Sequence, residues 1–487
     1  MFSMLASDEN IDYTSADASR RVDRMTGLQL AADLERWIDV NATRLVEDWR
    51  ACCAIPSVSA EGAQALTGMA DWLRKRAEPA FDSFHVLQVP GSAPVLVGCM
   101  NGSGAATLLI YNHYDVVPAG EGWTHEPFDA QLSGAAVYAR GAGDDKADVM
   151  ARLQALEAWR EVCGQLPFKV LWLCEGMEEV GSPGLGEVVT QNLQLLRADA
   201  CLWESYYRSI DGVIPTIGFG SRGILNVELS VKLLEADTHS GMSGIYRSAA
   251  MLLAQALASL TSADGRVTVP GFYEAVRPFS AADARAASGT PVPALLAEGA
   301  ALWSQDPLEI TRRWLCEPTL NLASVHAGPS GENPDTVVLP ASAQARLDIR
   351  LVPDQDPQAV FEALRVHLDQ GGFTEVELTL RNAIQPVASA LDTPLALAVR
   401  EASTECFDGN EPLLHPVVPG SGPLHLFTAA MPGLSAVMPP GTIRPDSGMH
   451  GPDENALVSH YLQEVRLTLR IFELLSQSSE FLRKAGA

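Results

Sequence analysis

ATLLIYNHYDVVP, residues 106–118, decides how the rest of the chain is read. Its first half is an unbroken apolar run, which reads as a strand covered on both faces; its second half turns polar, with His113 and Asp115 two residues apart. Side chains spaced by two in extended backbone project to the same side, so an imidazole and a carboxylate leave the carboxyl end of a buried strand together. Ligand-binding crevices of α/β sheets open at such ends. Taken alone, the pair is equally a hydrogen-bonded surface contact.

Downstream of this stretch, Lys146 to Val162 reads as a helix and FKVLWLC at 168–174 as a second buried strand. Upstream, a polar and aperiodic tail (1–27) leads into residues 29–52, where Leu30, Leu34, Ile38, Leu45 and Trp49 follow helical spacing. This βαβ rhythm predicts a mainly parallel sheet covered by helices. The period changes near residue 222. In LNVELSVK, Leu225, Val227, Leu229 and Val231 alternate with polar residues, as in a strand with one buried face. A helix through Ala249, Leu252, Leu253 and Ala256 follows, then an alternating strand (Ala343 to Leu351), a helix (Phe361, Leu364, Leu368) and a strand (Val376, Leu378, Leu380). Two strand-helix units on a one-faced sheet predict an α+β domain inserted between two halves of the α/β domain. The expected organisation is a tail over 1–27, a catalytic domain over 28–220 and 388–487, and the insertion over 221–387. Residues 262–320, rich in Ala, Pro and Gly, receive no assigned element.

With 34 Lys+Arg against 60 Asp+Glu the net charge is −26, which argues against a grip on nucleic acid phosphates or anionic lipid. No apolar stretch approaches the ~18–20 residues that cross a bilayer, and the N-terminus lacks a secretory pattern. Eight cysteines are scattered without a CxxC pair, as expected of small buried side chains in a reducing cytosol. The expectation is a soluble cytoplasmic protein.

Three further clusters carry chemistry. ARGAGDDKAD (139–148) places Asp144 and Asp145 directly before the Lys146 helix, where acids either cap the helix or supply a bridging carboxylate. CEGMEEVGS (174–182) gathers Glu175, Glu178 and Glu179 after a buried strand, a costly concentration of charge unless a cation neutralises it; otherwise it is a solvated acidic loop. Adjacent Glu178 and Glu179 point in different directions, so one could bind a metal while the other moves protons. Glu204 in ACLWESYY and His450 in GMHGPDEN complete a nitrogen and oxygen donor set, His113, Asp144, Glu179, Glu204 and His450, that suits zinc, manganese or cobalt. Singly, the last two read as an exposed acid and a loop histidine.

In order along the chain, IPSVSA (55–60), HYDVVP, RGAGDDK, EGMEEVGS, Arg222-Gly223, THSGMSG (238–244), LPASAQARLDIRLVP (339–353), PGSGP (419–423) and HGPDEN resemble the cocatalytic-zinc family of exopeptidases and amidohydrolases. That family includes carnosinases, glutamate carboxypeptidase, aminoacylase, acetylornithine deacetylase and succinyl-diaminopimelate desuccinylase. The likeness runs from about residue 40 to 475, and VPGFYEAV (269–276) with PTLN (318–321) is more similar to the dipeptidase branch. The resemblance implies an α/β, mainly parallel-sheet catalytic domain with a ferredoxin-like lid and dimerisation insert. It implies that Asp144, joined to Asp145 by a cis peptide, bridges two divalent ions, one adding His113 and Glu204 and the other Glu179 and His450. Asp115 would fix the His113 ring. Glu178 would be the general base and then acid, His239 would stabilise the oxyanion, in many members across a homodimer, and Arg350, with Ser421 and Gly422, would bind the substrate. Arg350 independently falls on the strand face opposite Leu347, Ile349 and Leu351. Outside the resemblance, His239 reads as a capping or core histidine and Arg350 as a surface ion pair.

The chain departs from the family pattern at Ala147 and Asp148 after DDK, at Ile245 after the lid motif, and at Val337, which aligns where relatives carry Asn or Thr. The expected activity is hydrolysis of the amide bond of a dipeptide or dipeptide-like small molecule by a metal-activated water. An N-acyl or N-carbamoyl amino acid amidohydrolase is the alternative within the same chemistry, and a non-catalytic binding or assembly protein the alternative outside it.

Overall fold

The computed structural model describes residues 27–280, 284, 301–328 and 337–483. The polar tail before residue 27, Thr336 and part of the unassigned 262–320 stretch lie outside the described residues. The strand Thr107–His113 is buried at every position and lies inside a six-stranded sheet. It pairs in parallel with Lys169–Glu175 on one side and Ala200–Leu202 on the other, and Ser435–Val437 extends the parallel run. Val95–Met100 and Ser83–Leu87 close the opposite edge with antiparallel pairing.

Helices cover both faces, which is why these strands are apolar without alternation. On one face the helices Gly27–Cys53, Lys146–Val162, Pro394–Cys406 and Val458–Gln477 form a core in which the Trp49 and Tyr461 rings stack at 4.4 Å. On the other, Leu185–Gln191 and Leu424–Ala430 pack over Tyr111, which stacks on Trp203 at 3.7 Å. The Lys146–Val162 helix lies between the sheet and two other helices, so even Lys146, Asp148, Arg152 and Gln154 are buried. Buried polar side chains need partners: Asp148 and Arg152 find them beside strand ends, as described below, while Lys146 Nζ donates to Ile55 O and Gln154 Nε2 to Leu45 O. Cys52, Cys53, Cys99, Cys163, Cys174 and Cys201 are buried thiols. No helix among the described residues is long and apolar enough to cross a membrane.

The second sheet has four antiparallel strands in the order Thr319–Ala327, Ser342–Leu351, Gly223–Lys232, Glu377–Ile384. Its first and third strands in chain order are central, the ferredoxin-like arrangement. Alternate residues of Gly223–Lys232 are buried against the helices Ala249–Ala258 and Pro357–Gln370. Both helices begin on side-chain caps: Ser248 accepts from Met251 N–H, and Asp356, followed by Pro357, accepts from Gln358 N–H. The chain segments that enter and leave this sheet, Gly220–Ser221 and Val387–Ala388, pair with each other.

Two of the elements not assigned from sequence begin within the 262–320 stretch. The helix Pro307–Cys316 starts on an Asp306 cap with proline at its first position, a readable signal hidden in an Ala- and Pro-rich stretch. The strand Thr319–Ala327 is exposed along nearly its whole length, so it carries no apolar alternation to detect.

Candidate metal centre

The parallel strands deliver their chemistry to one edge. His113 and Glu175 end neighbouring strands, Glu204 follows Ala200–Leu202, and His450 stands on the loop beyond Ser435–Val437. Asp144 lies in the turn before the Lys146 helix. Its Oδ1 is 3.1 Å from His113 Nε2, and its Oδ2 is 3.1 Å from His450 Nε2, which is 3.2 Å from Glu179 Oε1. One carboxylate therefore faces two imidazoles with different oxygens. Asp144, Glu179 and His450 offer ligand atoms within 4.8 Å of one another. Glu204 lines the same cavity of about 840 Å³, and its Oε1 is buried with no hydrogen-bond partner.

Local bonds aim these groups. The Asp144–Asp145 peptide is cis, and Asp145 makes no side-chain cap on the helix that follows it. Its Oδ2 instead accepts from Asn112 Nδ2 and from His113 N–H at 2.8 and 2.9 Å, tying the turn to the strand end. Asp115 is fully buried. Its backbone oxygen is 3.1 Å and its Oδ1 3.4 Å from His113 Nδ1, while its carboxylate accepts the N–H groups of Glu178 and Glu179, each at 3.1 Å. The third acid of that cluster, Glu175, faces away: its Oε1 accepts from Tyr111 Oη and Ser182 Oγ, and burial pushes its carboxyl up to about 7.

Glu454, inside the HGPDEN motif, was not singled out from sequence. Its carboxylate accepts from Arg140 Nη1 at 2.6 Å and from the N–H groups of Gly141, Gly143 and Asp144 at 2.9 to 3.2 Å. It thereby ties the His450 loop to the Asp144 turn. An arginine four residues before the first of the paired acids and an acid four residues after His450 were the available signals. Neither indicates that the two meet.

The electrostatics fit a bound cation. Burial, offset only in part by His113, pushes the Glu204 carboxyl well above the usual range, and burial with the Glu204 charge does the same to Glu178. Hydrogen bonds to Asp144 and Glu179 raise His450 to about 10. Four acids, Asp144, Glu178, Glu179 and Glu204, share a cavity edge with His113 and His450. Positive charge among them would relieve this repulsion. Carboxylate and imidazole donors, with one buried carboxylate oxygen unpartnered, match hard or borderline divalent ions.

The small sheet forms the opposite wall. Arg350, with Ile224 and Asn382, lines the cavity; its Nη1 donates to Ser421 Oγ at 3.3 Å and its Nε to Asp348 at 3.2 Å. A Cβ at Gly422 would stand 3.2 Å from Glu178 Oε1, so a side chain here would crowd that carboxylate. His239 is not among the residues lining the cavity. It is exposed, and its Nδ1 caps the turn Ser240–Gly244 by accepting Gly241 N–H at 3.0 Å. Ile245 and Val337 are exposed at 73% and 71% and likewise stand outside the cavity lining.

Comparison with known proteins adds a lineage. The profile described as peptidase family M20/M25/M40 matches residues 109–474. A Cys-Gly metallodipeptidase of Candida albicans is 29% identical over 312 residues, 58% of this chain and 60% of that protein, less than two thirds of its length. The Beta-Ala-His dipeptidase of Homo sapiens is 26% identical over 392 residues, 76% of this chain and 75% of that protein. Among solved structures, an M20 family metallo-carboxypeptidase from Sulfolobus solfataricus aligns with a TM-score of 0.82 at 30% identity, covering 89% of this chain and 99% of that one.

Proposed function

The chain belongs to peptidase family M20/M25/M40, and from that premise we propose that it hydrolyses the amide bond of a dipeptide with a free carboxylate at a centre of two divalent ions. The observation that carries this reading is Asp144 turning one oxygen to His113 and the other to His450. His113 and Glu204 would join Asp144 at one ion, and Glu179 and His450 at the other. Zinc suits these donors, as do manganese and cobalt. Such ions, when bound, draw electron density from the substrate carbonyl and acidify water.

The remaining work falls to side chains. Glu178, beside Gly422 and outside the ligand set, accepts a proton from the attacking water and returns it to the departing nitrogen, so one C–O bond forms as one C–N bond breaks. Arg350, steadied by Ser421, presents its guanidinium to the substrate carboxylate. Asp115 holds His113 and both glutamate N–H groups in place. His239 would stabilise the oxyanion of a partner subunit's site. Its place outside the lining of its own cavity supports that reading, as does the Thr319–Ala327 strand, which is exposed and paired on one side only among the described residues. The relatives named for Cys-Gly and Beta-Ala-His support dipeptides over N-acyl amino acids, and buried thiols support a reducing, cytoplasmic setting.

The test is hydrolysis of a panel of dipeptides and their N-acetylated counterparts by the metal-loaded protein. Turnover of the free-amine dipeptides is expected. Turnover of the acylated compounds alone would replace this reading with a deacylase.

A further inference from the structure

Asp148 is one of the departures from the family pattern, and the site described so far does not use it. It is fully buried, one turn before Arg152 on the Lys146–Val162 helix. Asp148 Oδ2 accepts Ser205 N–H at 2.8 Å and lies 3.8 Å from Arg152 Nη2, which donates to Trp203 O at 2.8 Å. The peptide groups on either side of Glu204 are therefore both gripped by this one pair. Arg152 Nη1 also donates to Tyr111 O at 3.0 Å and lies 3.4 Å from Asn112 Oδ1, on the two residues that precede His113. The close approach is built in: a Cβ at Gly441 would stand 1.7 Å from Ser205 Oγ and 3.3 Å from Asp148 Oδ1.

The other ligands are aimed by different residues. Asp115 holds the Glu178 and Glu179 N–H groups, and Glu454 joins the Asp144 turn to the His450 loop. Asp148 also faces the carboxylates of Glu464 and of Asp145, the latter accepting His113 N–H, so the contacts that Asp148 and Arg152 make towards the cavity lead to the strand ends that carry His113 and Glu204. We propose that Asp148, with Arg152, is a positioning residue for one metal subsite alone, the one that adds His113 and Glu204 to Asp144. Losing Asp148 then leaves a chain that holds one ion firmly and the second weakly. This inference rests on the two-ion reading above.

The experiment is titration of the full-length, metal-stripped protein with Mn2+, following stoichiometry by equilibrium dialysis and coupling between ions by electron paramagnetic resonance. Wild type is expected to take up two ions with a coupled spectrum. Asp148→Ala is expected to weaken the second ion by about 10- to 100-fold, the range for loss of a group that orients a ligand, and to show the six-line signal of an isolated ion. Asp148→Asn keeps an acceptor for Ser205 N–H and nearly the same volume, so its second-ion affinity should fall between the two; it carries the test if the alanine variant does not fold. Tyr461→Phe is a control against the same buried helix: its hydroxyl donates to Gln154 Oε1 at 2.6 Å, away from the strand ends, and the variant should keep both ions. Two ions of unchanged affinity in both Asp148 variants, or equal weakening of both ions, overturns the inference alone. A wild-type chain that binds only one ion overturns the two-ion reading and this inference with it.

Discussion

The two sheets bring chemistry to the same cavity in different ways. At the parallel sheet, carboxylates hold the backbone that carries the functional side chains: Asp145 accepts His113 N–H, Asp115 the N–H groups of Glu178 and Glu179, and Glu454 those of the Asp144 turn. At the small antiparallel sheet, Arg350 is only partly buried, shares its guanidinium with Asp348 and Ser421, and His239 is exposed. The difference teaches a division of labour. The proposed ion-holding side is tied by several carboxylate-to-backbone bonds, while the proposed substrate side sits on a unit joined through the short pair Gly220–Ser221 and Val387–Ala388. Changes on the first side should alter ions, chemistry or folding, and changes on the second should alter substrate affinity.

The largest effect should come from Glu178→Gln, which keeps shape but removes the proton acceptor. We expect kcat to fall by about 10²- to 10⁴-fold with metal content unchanged; a rate equal to wild type would remove Glu178 from the chemistry. Next is Glu454→Ala, which strips the acceptor from three backbone N–H groups and leaves the buried Arg140 charge without its carboxylate. Denaturant unfolding should show a loss of about 3–5 kcal/mol. If stability holds and only ion binding falls, the Glu454 contact belongs to the centre rather than to the frame.

The joint between the units offers a pH test. His415 contacts Tyr206 on one side and the Trp314 ring of the small unit's helix on the other, and burial lowers its pKa from 6.5 to about 4. The folded imidazole stays neutral while the unfolded one gains a proton, so its contribution is present above about pH 6.5 and is lost as pH falls towards 4. Between pH 7.5 and 4.5 this group should cost about 2–3 kcal/mol of stability, and His415→Gln should show a correspondingly shallower acid loss. The smallest effect should be that of Arg350→Ala. It should raise KM for dipeptides by about 10- to 100-fold, from loss of about 1.5–3 kcal/mol of charged hydrogen bonding, with ions and unfolding midpoint unchanged. A fall in kcat with KM constant would instead place Arg350 in the chemical step.

Much of the frame was legible because it is periodic. The continuous apolar run before His113, the Lys146 helix and the alternation of Leu225 to Val231 all appear as the structure has them. Thr319–Ala327 was not, because an exposed edge strand buries no face and so needs no pattern. The candidate ligands were legible as residue types at strand ends. Glu454 and Asp148 were visible only as acids near motifs, since nothing local indicates which N–H each will accept.

By itself the sequence determined which segments become strands and helices, which faces turn inward, and that acids and histidines would stand where strands end. These follow from side-chain spacing along a regular backbone, a property of neighbours a few residues apart. Only the tertiary structure decided that Asp144 meets His450 across 306 residues and Glu454 across 310, and that Asp148 grips the backbone beside Glu204. Those meetings depend on the spatial order of the strands and the seating of one buried helix between sheet and outer layer. Both are set by how whole elements pack, which no short-range pattern encodes.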